Sequence, residues 1–180
     1  MSNHHEHLSG ILAYGCSFEG VILFDGLFRI DGIVKGKIIC RPDRKGSLII
    51  GDKAKVDVDL LMVDNLYVAG ECYGNGPVIV LQDAEFHSKS RVEVNKQFSL
   101  YSSHLVIKEK ALFQGKSVMI RHESEQKKEE IRRLVFENHH KTIVEPFEPN
   151  PVLNRPSETL KLDGPIKKRR NLKSFETEGG

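Results

Sequence analysis

The fold is decided by two consecutive stretches of eighteen residues, 48–65 (LIIGDKAKVDVDLLMVDN) and 66–83 (LYVAGECYGNGPVIVLQD). In both stretches apolar or small residues return every six positions, with polar residues between them. Residues i and i+2 lie on the same side of a β-strand. A pair of inward residues followed by a polar corner, repeated every six residues, therefore predicts short strands joined by tight bends.

The six-residue period extends well beyond these two stretches. Counting every sixth residue from Ile50 finds eight apolar side chains and one glycine: Ile50, Val56, Met62, Val68, Gly74, Val80, Phe86, Val92 and Phe98. The same count from Leu48 finds seven apolar side chains among nine residues, and the count from Lys53 finds no residue of an apolar core type. Two inward phases and one polar phase favour a repeat over chance.

Three six-residue units make one coil of about 18 residues, and successive coils stack so that equivalent strands pair in parallel. The predicted fold is all-β, a triangular parallel β-helix. Residues 18–120 supply five to six coils, which at about 4.8 Å per coil give a rod roughly 25–30 Å long. Departures from the period need insertions at corners, and residues 41–46 and 101–104 are predicted to be such insertions.

Composition divides the chain near residue 120. Twelve of the 15 glycines lie between Gly10 and Gly115, and five of the seven prolines lie between Pro146 and Pro165. We expect a flexible N-terminal tail over 1–17 and a β-helix over 18–120. A short helix rich in helix-forming residues follows within 121–140, with Ile131, Leu134 and Val135 as its apolar stripe. A Pro-rich and basic, mostly disordered tail occupies 141–180.

Overall composition excludes several classes of protein. The net charge of +2 argues against a dedicated nucleic-acid binder. Three cysteines, Cys16, Cys40 and Cys72, are too few for a disulfide framework and match no compact zinc spacing. No basic and apolar export signal stands at the N-terminus, and no apolar run approaches the length of a membrane span. A cytoplasmic protein with reduced thiols is the expectation.

Several motifs in the repeat resemble the bactofilin family of bacterial cytoskeletal proteins. The motifs are Phe28-Arg-Ile-Asp-Gly, Leu48-Ile-Ile-Gly, Leu66-Tyr-Val-Ala-Gly-Glu-Cys-Tyr-Gly-Asn and Leu105-Val-Ile-Lys-Glu-Lys-Ala-Leu-Phe-Gln-Gly. The resemblance covers residues 18–120 and implies a right-handed coil. It also implies a scaffold that polymerises end to end, without nucleotide or other cofactor, into non-polar filaments. Partners implied by it are the chain itself, the inner face of the cytoplasmic membrane and cell-wall or polarity proteins.

A stack of coils has two open ends whose strand edges are templates for another chain. On this basis the polymerisation contact is predicted to lie on the first and last inward residues: Phe24, Phe28 and Ile30 at one end, and Ile107, Phe113 and Met119 at the other. The predicted helix is expected either to fold over the C-terminal end or to project sideways. A β-helix adaptor that does not polymerise is an alternative.

An enzyme is the other alternative, because left-handed hexapeptide-repeat acyltransferases share the eighteen-residue triangular coil. Those enzymes need a histidine base, and His87 and His104 are the histidines within the repeat. A zinc site on the same coil needs three histidines, which the repeat does not supply. Loose metal binding by His4, His5 and His7 is a weaker hypothesis. No catalytic, metal or cofactor residue is therefore assigned.

Two further segments are candidates for contact with a membrane or a partner. The N-terminal segment offers the apolar residues Leu8, Ile11 and Leu12. The C-terminal segment offers the densest basic run of the chain, Lys167, Lys168, Arg169 and Arg170, followed by Leu172 and Phe175. Basic clusters with apolar neighbours favour anionic lipid or an acidic partner, and a solvated tail is the simpler alternative.

Overall fold

The computed structural model of this chain describes residues 8–42 and 44–143, all of which belong to one compact unit. Residues 1–7, 43 and 144–180 lie outside the described part. His4, His5, His7 and the basic run at 167–170 are therefore not placed, and the predictions made for them stay predictions.

The described residues form thirteen strands and one helix. In chain order they are β1 (Leu8–Leu12), β2 (Ser17–Phe24), β3 (Gly26–Ile30), β4 (Ile33–Cys40), β5 (Gly46–Ile50), β6 (Lys55–Val63), β7 (Asn65–Val68), β8 (Glu71–Gly74), β9 (Val78–Phe86), β10 (Arg91–Val94), β11 (Ser99–Ile107), β12 (Leu112–Gln114), β13 (Lys116–Met119) and α1 (Glu125–Ile143).

The strands stack in parallel on three faces, and each face contains six rungs. The first face consists of β1, β3, β5, β7 and the second halves of β9 and β11. The second consists of the first halves of β2, β4 and β6, then β8, β10 and β12. The third consists of the remaining strand halves and β13. The predicted triangular parallel β-helix, with about six coils, is confirmed.

The interior of the stack is built from columns of inward side chains, one from each coil. On the first face the column is Leu12, Ile30, Ile50, Val68, Phe86 and Ile107. The rungs from Ile30 to Phe86 are fully buried. On the second face Val34, Val56, Cys72 and Val92 stack in the same way. In the central coils each of these apolar side chains is covered by the coil above and by the coil below.

The six-residue count holds on the first two faces, and on the third face it holds for Val78 and Val80 but fails in β6. Leu48, Leu66 and Ala84 pair at intervals of eighteen residues, as the sequence predicts. On the third face, Leu60 and Met62 belong to a separate cluster outside the stack, whereas Leu61 lies inside. The cause is a bulge in the pairing of β4 with β6, where Asp59 is the extra residue and reverses the alternation that follows.

The stack begins ten residues earlier than predicted. β1 pairs along β3, with Leu12 opposite Ile30, inside the segment predicted to be a tail. This first coil has few buried apolar residues because it has only one neighbour, so its signal in the sequence is weak. Residues 41–45 separate β4 from β5, at one predicted insertion. The second predicted insertion was wrong: residues 101–104 lie inside β11, and the register shift after Ser102 puts the extra residue on β9, between Val80 and Asp83.

α1 packs along the outside of the third face and covers neither end of the stack. It starts soon after β13 in the last coil and runs back toward the first. Arg132 contacts Asp64 near the middle of the stack, and His139 lies beside Lys37 in the second coil. A helix of 19 residues is about 28 Å long, which matches the length of six coils.

Candidate functional site: the two ends of the coil stack

The last coil exposes side chains that are buried in every central coil. Ile107 faces inward below Phe86, and 44% of its surface is accessible, whereas Phe86 is fully buried. Met119 faces inward below Ser102, and 40% of its surface is accessible. Phe113 packs against Phe86 at 5.7 Å between ring centroids and is half-buried. These side chains lack the next coil that covers their equivalents.

The first coil presents a second apolar end. Leu12 and Ile22 are half-buried against the core, and Phe18, which faces inward opposite Val34, is 37% exposed. Phe24 is largely covered through its contact with Phe28, at 5.5 Å between ring centroids. The two ends therefore share one chemistry, an apolar interior open to solvent.

Strand edges accompany the apolar side chains at both ends. Among the described strands, β1 pairs with β3 alone, β12 with β10 alone and β13 with β11 alone. Backbone donors and acceptors on the outer edge of such a strand are available to a further strand. A second chain placed on either end can thus add backbone hydrogen bonds as well as apolar contact.

The six predicted interface residues lie in different coils of the stack. Ile107, Phe113 and Met119 lie in the last coil, at the C-terminal end of the stack. Phe24 lies in the first coil. Phe28 and Ile30 lie in the second coil, and Ile30 is fully buried beneath Leu12. Ile30 is thus an internal residue, because the prediction started the stack at residue 18 and missed β1. The role of these residues in polymerisation stays a prediction.

Leu8, Ile11 and Leu12, the predicted membrane or partner contacts, form part of β1. Leu12 faces the core, and Leu8 and Ile11 are about half exposed, at 50% and 54%. They are thus part of the coil stack rather than of a free peptide. Their contact with a membrane remains a prediction.

α1 covers an apolar strip on the outside of the third face. Ile39, Leu60 and Met62 are almost inaccessible there, and Val135 and Phe136 pack against them. The predicted helical stripe was partly wrong, since Leu134 is 52% exposed and Phe136 takes its place. The helix face turned to the stack also carries the almost inaccessible Lys128 and Arg132, so the apolar residues alone do not locate it.

A buried ion pair fixes α1 to the stack, and sequence reasoning missed it. Arg132 and Asp64 form a salt bridge in which both side chains are almost inaccessible. Asp64 Oδ2 also accepts a hydrogen bond from the Gly46 backbone N–H at 2.7 Å. Removing one partner from such a pair typically costs about 3–5 kcal/mol. Asp64 occupies a corner, where a polar residue is ordinarily solvated. Its burial and its pairing with Arg132 depend on the docking of α1, which the corner alone does not indicate.

The two histidines of the repeat lie on the surface, each beside one carboxylate. His87 Nε2 is 3.3 Å from Glu85 Oε1, and His104 Nδ1 is 3.0 Å from Asp83 Oδ1. Within residues 8–42 and 44–143, no three metal-binding side chains cluster. Burial raises the pKa of Cys40 and of Cys72 to about 12, which keeps both thiols protonated. Both buried thiols are thus core side chains, and each of the two histidines lies beside one surface carboxylate.

In the described ranges, α1 included, no helix has the length and hydropathy that crossing a membrane requires.

Comparison with protein families gives one match. The family model for bactofilins, described as polymer-forming cytoskeletal, matches residues 10–118, which is more than half of the chain. The matched range coincides closely with the coil stack and begins within β1. No curated protein and no solved structure matches this chain.

Proposed function

This chain belongs to the bactofilin family of polymer-forming cytoskeletal proteins, and we propose that it joins end to end, through its first and last coils, into filaments. It acts as a cytoskeletal scaffold, and the family to which it belongs is structural rather than enzymatic. The observation that carries the proposal is the exposure of the inward residues Ile107 and Met119 on the last coil. Covering the exposed part of Ile107 alone is worth about 1 kcal/mol.

Assembly requires neither nucleotide nor metal on this proposal. Apolar side chains and strand edges at the two ends supply the whole contact, and the sequence contains no Gly-rich phosphate loop. The filaments are non-polar, as the resemblance implies, so two kinds of junction alternate along them. One kind joins two first coils, and the other joins two last coils.

Two single substitutions test the two kinds of junction separately, because each alters only one end of the stack. Phe113→Arg places a charge at the last coil, and Phe18→Arg places one at the first. We expect each variant to stop at dimers, because each keeps the junction at its unaltered end, and the double variant to be monomeric. Analytical ultracentrifugation and negative-stain microscopy without nucleotide give the result.

The neighbouring outward residues provide matched controls. Leu112→Arg and Ser17→Arg add the same charge on the same strands, but on the outer surface, and should leave filaments intact. Monomers from either single variant would indicate a polar, head-to-tail filament instead. Normal filaments from both Phe113→Arg and Phe18→Arg would overturn end-to-end assembly.

The scaffold positions cell-envelope or cell-shape machinery in the cytoplasm, with the segments outside the stack as its contacts. The basic run Lys167–Arg170, with Leu172 and Phe175, supports contact with an anionic membrane surface. Sedimentation with vesicles containing anionic lipid tests this. The full chain should bind, and a full chain carrying glutamine at the four basic positions should bind several-fold less. Equal binding would remove the basic run from the proposal.

A further inference from the structure

The outer surface of the third face differs from the outer surfaces of the other two. Its central outward column is apolar on all six rungs: Leu23, Ile39, Met62, Ile79, Tyr101 and Val118. The corresponding columns elsewhere include charged rungs, such as Arg29 and Glu85 on the first face and Lys55, Glu71 and Arg91 on the second. Outward positions are normally polar in a solenoid, so a continuous apolar column calls for a partner.

α1 supplies that partner along only part of the column. Val135 and Phe136 pack on the cluster that includes Leu23, Ile39, Met62 and Ile79. The last two rungs lie outside that cluster and stay partly exposed, Tyr101 at 36% and Val118 at 41%. The strip thus extends beyond the contacts of Val135 and Phe136, toward the C-terminal end of the stack.

We propose that this outward column, which we call the lateral strip, is a side-by-side contact between two filaments, and that α1 keeps it closed. The proposal rests on the end-to-end assembly proposed above. The occupant is a second copy of this chain, because an identical strip has the same flat surface and the same rung spacing of about 4.8 Å. Two sheets pack face to face about 10 Å apart, which is also about the width of the helix that would leave.

The size of the lateral strip explains why filaments, rather than free subunits, would use it. Six rungs by four residues make a face of about 400 Å², roughly half of the ~800 Å² per partner that a stable complex of standard size buries. One subunit therefore cannot hold another by this face. Subunits joined end to end present the strip repeatedly, and the contacts add along the filament.

Opening the strip in the full chain tests the proposal. The substitutions Val135→Asp and Phe136→Asp, made together, place charge where α1 meets the cluster. The matched control is Leu134→Asp, which adds charge to the outer surface of the same helix. We expect the double variant to show a several-fold rise in the fraction of filaments lying side by side in negative stain. Hydrogen exchange in 125–143 should rise with it, and the control should resemble the unsubstituted chain.

A third substitution distinguishes specific packing through the lateral strip from non-specific aggregation of exposed apolar residues. Ile79→Glu, added to the double variant, should restore single filaments because it charges the strip itself. Phe113→Arg, added instead, should leave small soluble species, since a strip of this size needs a filament. If the double variant does not fold, as judged by circular dichroism, Phe136→Ser opens the same contact without charge.

Single filaments of unchanged width, formed by a folded variant whose α1 exchanges freely, would overturn the lateral contact. Bundles that persist with Ile79→Glu would overturn it too. Failure of the unsubstituted chain to form any filament would instead contradict the proposed end-to-end assembly, so the two failures are distinguishable.

Discussion

Ile50 and Ile107 are the same residue type in the same inward column, one in the third coil and one in the last. Ile50 is fully buried, whereas 44% of Ile107 is exposed. The two positions have equivalent strand geometry and differ in whether another coil lies beyond them. In a solenoid, therefore, burial is supplied by the next coil, and each end is an interrupted core. On the proposed assembly, such an interrupted core is the surface that binds the end of another chain.

The largest expected contrast comes from placing a charge at each of these two positions. Ile50→Asp buries an unpaired carboxylate and should cost about 4 kcal/mol or more, enough to prevent folding. Ile107→Asp keeps its carboxylate near solvent and should cost about 1 kcal/mol while weakening filaments. Urea denaturation of both variants, at a concentration where the chain is unassembled, gives the comparison. Equal losses would mean that the last coil is already covered within one chain.

Two paired glycines allow the same comparison, between an end coil and an inner coil, to be made for the backbone. Gly20 and Gly36 pair in the first and second coils, and both have positive φ, at 143° and 124°. A Cβ on Gly36 would overlap the backbone oxygen of Gly20, whereas a Cβ on Gly20 meets only the Phe18 ring, at 3.4 Å. Gly36→Ala should thus cost more than about 2 kcal/mol and Gly20→Ala about 1 kcal/mol. Thermal unfolding of the two variants measures the difference, and a larger loss at Gly20 would contradict it.

A smaller effect is expected at one corner of the fifth coil. The buried hydroxyl of Ser90 has no hydrogen-bond partner among the described residues, and the equivalent residue of the last coil is Ala111, which is half-buried. Ser90→Ala should raise the free energy of unfolding by about 1 kcal/mol. The reciprocal change Ala111→Ser should be nearly neutral, because its hydroxyl can reach water. Denaturation curves that show a loss for Ser90→Ala would reveal a partner for this hydroxyl.

The smallest perturbation changes no residue and labels the native thiols. Cys16 is exposed at a corner of the first coil, whereas Cys40 and Cys72 are buried and their pKa values are raised to about 12. Since the thiolate is the reactive form, one thiol per chain should react at about pH 8, and all three in denaturant. A colorimetric thiol assay counts them. Rapid reaction of a second thiol in the folded chain would show that central coils open locally.

The sequence was sufficient for the parts of the fold that repeat. The period of Leu48, Leu66 and Ala84 follows from inward packing, and the structure keeps it without a break. On the third face the same count placed Val78 and Val80 inward correctly, but it could not predict which residues of β6 face inward. One extra residue, Asp59, reverses which side chains face inward, and a bulge leaves no composition signal.

Which residues lie at the ends of the stack was predictable at one end and not at the other, and their role in polymerisation stays a prediction. Ile107, Phe113 and Met119 could be assigned to the last coil because the six-residue repeat ends near residue 120, where the composition of the chain changes. At the other end the first coil is poor in buried residues, so the prediction chose Ile30, one coil too deep. The docking of α1 depends on Asp64 and Arg132, which lie 68 positions apart. Such a pairing is a property of the assembled surface, and neither residue is unusual within its own segment.

The backward path of α1 has a consequence for where the described part of the chain begins and ends. The chain enters the first coil at Leu8 and, after the helix passes Lys37, leaves near that same coil at Ile143. In a filament with alternating junctions, every meeting of two first coils would then gather four chain ends, and the meetings of two last coils would gather none. The spacing between such gatherings is two stacks, about 58 Å. On the proposed assembly, the points at which the chain enters and leaves the described part would therefore recur along the filament at that interval.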